Sequence, residues 1–157
     1  DNKLEIHSDT IVISTGASAR YLGLDSEQHY LSNGGGVSAC AVCDGFFYKG
    51  QETVIVGAGD SAAEEALYLS KLCTKVHMIV RKSEMRASKI MQERVKAAKN
   101  IEIHWNTETV EITGGEEVEG VTVINNQTQE KSSLDIKGFF DNIPHDKLME
   151  IIEVKEI

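Results

Sequence analysis

The sequence predicts an α/β domain in which a parallel sheet with flanking helices carries a three-stranded antiparallel β-meander. Three observations predict it. Short β-branched runs alternate with amphipathic helical stretches between residues 53 and 104, the pattern of consecutive βα units. The first of these runs, Thr53-Val54-Ile55-Val56, has no charged or strongly polar residue, as expected of a parallel strand buried on both faces. Beyond residue 109 the pattern changes to strands separated by short turn signals.

A chain of 157 residues, 41% hydrophobic and 26% charged, has the makeup of an ordinary folded domain with a real core. Its net charge of −9 argues against a nucleic-acid binder, which carries a basic excess, and against a polybasic membrane anchor. No apolar run approaches the ~18 residues of a membrane span. The N-terminal residues Asp1 to Glu5 show no signal-peptide pattern. Three cysteines, an odd number, favour reactive thiols in a reducing compartment over a disulfide framework. The expectation is a cytoplasmic domain with neither membrane nor nucleic acid as partner.

Thr10 to Ser14 reads as a short strand that turns at Thr15-Gly16-Ala17. Residues 18 to 37 lack periodicity and contain Gly34-Gly35-Gly36, which predicts a flexible loop or linker. The strand at Thr53–Val56 leads into a helix with Ala62, Ala66, Leu69 and Cys73 along one face. A second strand follows at Lys75–Val80. The next helix carries Ala87, Met91, Val95 and Ala98, and Ile101–His104 is the third strand. Gly114-Gly115 and Asn125-Asn126 then mark the turns of the meander, whose last strand ends near Ile136.

Strand, Gly57-x-Gly59-x-x-Ala62, helix is the context of a Rossmann-like dinucleotide site. Gly57 permits the tight turn, Gly59 lets backbone approach a pyrophosphate, and Ala62 keeps helix and sheet close. Free N–H groups from Asp60 and Ser61 onward, at the positive end of the helix dipole, would face the phosphates. An NAD site usually ends the second strand with an acidic residue. Here Arg81, Lys82 and Arg86 stand at that point, where they suit a ribose 2′-phosphate, and the reading is NADPH. Glu84, the nearest acid, lies past the strand end.

Cys40-Ala41-Val42-Cys43 precedes Asp44. Two thiols at that spacing form an easily exchanged disulfide, and a neighbouring carboxylate can pass the proton that exchange requires. A zinc site would need two further ligands at motif spacing, and none exists, so no metal is expected. His77 and His104 fall on strands and read as packing residues, and Cys73 as an inert buried thiol.

Taken together, the block from Ser38 to Phe47, the Gly57–Ala62 turn and Arg81-Lys82-x-x-x-Arg86 resemble low-molecular-weight thioredoxin reductases over about Asp9 to Phe139. The resemblance implies an FAD/NAD(P)-binding type fold and electron flow from NADPH to FAD, then to the Cys40–Cys43 disulfide, then to thioredoxin. It assigns Asp44 as the acid–base residue and Arg81, Lys82 and Arg86 as the 2′-phosphate group. Val80 stands where the family usually has histidine, and Lys82 where it has arginine.

Other departures are larger. No second Gly-x-Gly-x-x-Gly precedes Cys40, so residues 1–19 read as a remnant of an FAD-domain strand and hinge. Residues 20–138 read as the NADPH-binding domain with its redox pair, and 139–157 as an out-of-family tail. Asp135 to Met149 resembles a stretch of group II intron-type reverse transcriptases, without the Asp-Asp pair their chemistry needs. The expectation is a truncated domain that does not bind FAD and is inactive alone, with a homodimer possible through an unpaired edge. The alternatives are a domain of a peroxiredoxin-reducing flavoprotein and a non-catalytic nucleotide-binding module.

Overall fold

The structure is a computed structural model that describes Asp9, Thr10, Val12, Ser14 and residues 19–142. Its elements run α1 (Asp25–Ser32), β1 (Val37–Ser38), α2 (Ala41–Asp44) with a 3-10 turn at Gly45–Tyr48, β2 (Glu52–Val56), α3 (Asp60–Leu69), β3 (Lys75–Val80), α4 (Lys89–Ala97) and β4 (Ile101–Trp105). Three strands form the meander's first two arms and its return: β5 (Thr107–Gly114), β6 (Val118–Asn125) and β7 (Lys131–Asp135). Finally β8 (Gly138–Asp141) re-enters the main sheet.

The main sheet has the order β1-β8-β2-β3-β4 and every pairing in it is parallel. The antiparallel β5-β6-β7 sheet covers one of its faces, and α3 and α4 cover the other. Both predicted sheets are therefore present.

On the helix face, Ala62, Ala63, Ala66 and Leu69 of α3 are completely buried against Ile55, Met78, Val80 and Phe140. Three alanines in one helical face bring the helix axis close to the sheet and leave no room for larger side chains. The meander face buries Val54, Ile79 and Phe139 against Ile112, Val118, Val121 and Val123. It also buries polar groups, among them Glu27, His77, Thr107 and Asp141.

The segment expected to be a flexible linker is instead ordered around α1. This helix was hidden because its inward residues are Glu27 and Tyr30, which give no apolar stripe. The Glu27 carboxylate accepts the backbone N–H groups of Leu22 and Gly23, at 2.9 and 2.7 Å, and so ties down the chain entering the helix. The triple glycine is a close-packed turn and not a flexible one. A Cβ on Gly35 would lie 2.8 Å from the Glu116 carbonyl oxygen and 2.9 Å from the Tyr30 ring.

The strand expected at residues 10–14 lies largely outside the described residues, and Thr10, Val12 and Ser14 belong to no strand. The tail was expected to begin at Phe139, and that position falls inside β8. Phe139 pairs with both Val37 and Val54, and Phe140 with both Ser38 and Ile55. Beyond Asn142 the tail lies outside the described residues.

Candidate functional site: a basic cleft and a disulfide at one edge of the sheet

All five strands of the main sheet point the same way, so their carboxyl ends share one edge, where ligands of open α/β sheets bind. β2 leaves that edge through Gly57, whose φ of +148° is unfavourable for any residue with a side chain. A Cβ there would also sit 2.7 Å from both the Ala62 side chain and the Asn142 carbonyl oxygen. Gly59 faces open space, with no atom within 4 Å of where its Cβ would be. The turn is thus closed behind Gly57 and open beside Gly59. That shape fits a pyrophosphate approaching the start of α3.

Beside the turn lies a cleft of about 540 Å³, within the usual range for small-molecule sites. Arg81, Lys82 and Arg86 line it together with Gly57, Ala58 and Thr107. The structure therefore brings together the glycine turn and the basic residues singled out in the sequence.

Several residues that the sequence reading missed hold this loop in place. The Ala58 carbonyl accepts the backbone N–H groups of both Arg86 and Ala87, at 2.8 and 2.9 Å, and latches the loop to the turn. The Asn126 side-chain amide donates to the Arg81 carbonyl, and the Asn106 backbone N–H to the Lys82 carbonyl. Asp60 accepts both the backbone N–H and the hydroxyl of Ser88, at 2.9 and 2.8 Å. These bonds hold the Asp60 carboxyl below its usual pKa. The Asp60 side chain is therefore a clip between α3 and the start of α4. Ser61 is exposed in the first turn of α3.

Cys40 and Cys43 are joined in a disulfide with Cα atoms 5.3 Å apart. Cys40 precedes α2, and its sulfur accepts the Cys43 backbone N–H at 3.2 Å. Of the two, Cys43 is the more exposed. Ser38 is the organiser of this corner. Its hydroxyl lies 2.6 Å from Asp44 Oδ2 and accepts the Cys40 backbone N–H at 3.0 Å, coupling the carboxylate to the cysteine backbone. Tyr48 anchors the segment by lying edge-on to Phe140, with ring centroids 5.5 Å apart. Burial, and then the Asp44 and Glu117 charges, push its hydroxyl above the ordinary tyrosine pKa. Cys73 is buried, and burial raises its thiol pKa, as an inert thiol requires.

The disulfide and the cleft share an edge and not a face. Ala41 of α2 packs into the core on the helix side. The cleft opens on the meander side, lined by Val56, Ile79 and Thr109. The main sheet stands between them.

A family model for the pyridine nucleotide-disulphide oxidoreductases matches residues 1–148. The chain is 42% identical over 157 residues to the NADPH-dependent thioredoxin reductase 3 of Arabidopsis thaliana, covering 98% of this chain and 29% of that protein. It is 44% identical over 142 residues to the thioredoxin reductase of Mycolicibacterium smegmatis, covering 90% and 45%. The crystal structure of Lactococcus lactis thioredoxin reductase in its FR conformation superposes with a TM-score of 0.79 at 37% identity, covering 83% of this chain and 43% of that one. The chain thus spans less than half the length of these relatives.

Proposed function

Because this chain belongs to the pyridine nucleotide-disulphide oxidoreductases, we propose that it is the NADPH-binding, disulfide-carrying part of a thioredoxin reductase. The observation that carries this reading is the cleft in which Arg81, Lys82 and Arg86 are latched to the Gly57–Gly59 turn. The open space beside Gly59 would receive the pyrophosphate, and the two guanidinium forks and the lysine would receive the 2′-phosphate. NADPH, when bound, supplies a hydride, that is, two electrons.

At the other site, reduction of the Cys40–Cys43 disulfide takes up two electrons and two protons and leaves two thiols. Asp44, held by Ser38, is the proton-handling group of that corner. The exposed apolar side chains of Val42, Phe46 and Phe47 surround the disulfide and suit a protein substrate such as thioredoxin. Since the sheet separates cleft and disulfide, electrons need a carrier between them. FAD, held by the rest of the full-length family's proteins, is that carrier, and the isolated chain does not turn over a disulfide with NADPH. We place the protein in the cytoplasm on its cysteine usage. Among the described residues no helix is long and apolar enough to cross a membrane.

Residues 20–138 are the cofactor domain in this reading, completed by β8 through Asp141, and the tail beyond it adds no polymerase activity. Asp141 is 2% exposed in the middle of the sheet, and neither oxygen has a well-formed hydrogen bond among the described residues. The buried Glu27 carboxyl lies beside it.

Calorimetric titration of the purified chain with NADPH, and with NADH as comparator, tests the proposal. Selective NADPH binding is expected. Equal or tighter NADH binding would overturn the assignment of the three basic residues, and silence with both would remove the cofactor reading altogether.

A further inference from the structure

Across β2, β3 and β4, four polar side chains converge on the meander face. The parallel register pairs His77 of β3 with Glu102 of β4, and Ile79 with His104, so His77, Glu102 and His104 share that face. His77 Nδ1 lies 2.9 Å from His104 Nε2, and His77 Nε2 lies 3.0 Å from Glu52 Oε2. Glu102 Oε1 lies 3.9 Å from His104 Nε2. Donor atoms of His77, Glu102 and His104 all fall within 4.8 Å of one another.

We propose that His77 Nδ1, His104 Nε2 and a Glu102 carboxylate oxygen form a binding site for a divalent transition-metal ion of the zinc type, oriented by Glu52. Two imidazoles and one carboxylate are the donor set such ions favour.

The proton arrangement of the pair is what makes it a site. A carboxylate only accepts, so the Glu52 contact puts the proton of His77 on Nε2. The Nδ1 lone pair is then directed at His104, whose Nε2–H must supply the hydrogen between them. A carboxylate on the far nitrogen of a histidine is also the arrangement that fixes metal-ligating imidazoles. A cation takes the place of that single hydrogen as the His104 proton moves to its own Nδ1. No proton is lost overall.

Distances and charge decide the same way. Four-coordinate zinc with bonds of about 2.0–2.1 Å needs donors roughly 3.3 Å apart. The 2.9 Å His77–His104 separation must open slightly, and the 3.9 Å separation from Glu102 must close by a similar amount. Glu102 is half exposed, and with Oε2 held by Lys75 only Oε1 turns toward the histidines. Lys75 and Lys99 oppose a cation, and the carboxylates of Glu52 and Glu102 offset both. A surface cleft lined by Glu52, Lys75, Lys99 and Glu102 gives entry.

In the parallel register His77 stands level with Val54, three residues before Gly57, so it lies about 10 Å along the strand from the glycine turn. The site does not depend on the cofactor reading, and its test uses none of the same measurements. The chain with its Cys40–Cys43 disulfide intact is stripped with chelator and titrated calorimetrically with zinc chloride. One ion per chain is expected to bind and to raise the melting temperature. His104→Gln and Glu102→Gln should each abolish or weaken binding by ~100-fold, and Glu52→Gln by about 10-fold. Cobalt(II) should show the visible ligand-field bands of a four-coordinate ion and no thiolate-to-cobalt charge-transfer band. Failure to bind at millimolar zinc, unchanged affinity in the folded Glu102→Gln variant, or a thiolate-to-cobalt charge-transfer band would each overturn the assignment.

Discussion

The two faces of the main sheet are covered by different materials. On the helix face α3 presents Ala62, Ala63, Ala66 and Leu69, all fully buried, to an apolar sheet surface. On the meander face the buried set includes Glu27, His77, Thr107 and Asp141. The first face is a close fit of small side chains that buries no carboxylate or histidine. The second mixes apolar packing with ionisable groups whose state depends on what surrounds them. His104, next to His77, is held below the usual histidine pKa by burial and by that neighbour. The contrast separates two kinds of tolerance: the helix face resists added volume, and the meander face resists charge.

The largest expected effect is at the edge both faces share. Gly57→Val forces a branched side chain into φ +148° and against Ala62 and Asn142. It should cost about 4 kcal/mol in denaturant unfolding and leave no measurable NADPH binding. Ala66→Leu tests the helix face alone. Overpacking between α3 and the sheet should cost about 3 kcal/mol, read as a lower midpoint with an unchanged denaturant slope.

Asp141→Val should move stability the other way. Burial first, and the neighbouring Glu27 second, push the Asp141 carboxyl up to about 9 from an ordinary 3.8. The folded state therefore holds a proton that the unfolded chain gives up, and stability falls as pH rises between those values. Replacing the carboxyl should add about 2 kcal/mol at neutral pH and flatten that decline in thermal melts across pH. If Asp141→Val destabilises the chain instead, the meander face is not the charge-sensitive one.

Arg81→Ala should weaken NADPH about 10-fold and leave NADH unchanged, which separates phosphate recognition from the packing of either face. Asp60→Asn gives the smallest shift. The Asp60 carboxyl is held low by Ser88, so its contribution is present above the unfolded value and disappears as pH falls through the folded one. The variant should melt slightly lower at neutral pH and like the parent in acid.

What the sequence made legible, and what it hid, follows the same division. β2, Gly57 and α3 announce themselves because apolar periodicity and a glycine requirement are both local. Cys40, Cys43 and Asp44 are contiguous, and so was their chemistry. α1 stayed hidden because its buried residues are a carboxylate and a tyrosine, which no hydrophobic pattern flags. Glu102 and His104 sit two apart on one strand, but their meeting with His77 depends on the β3–β4 register, fixed only by the whole sheet. Gly138 to Asp141 gave little signal of a strand, being four residues long with a charged end. The latch at Ala58 is made by backbone atoms and leaves no mark in side-chain identity.

The place of β8 between β1 and β2 has a consequence for how the chain is made. During synthesis, β2, β3 and β4 can pair as soon as they leave the ribosome, because each lies next to its sequence neighbour. β1 has no partner until residues 138–141 arrive, about a hundred residues later. Until then the corner bearing Cys40 and Cys43 has no sheet behind it, and its thiols are exposed to whatever oxidant or partner the growing chain meets. The disulfide corner therefore has α3 beside it before it has a sheet strand behind it. Pairing of the correct thiols, Cys73 being the competitor, is decided by how early α3 buries that third cysteine.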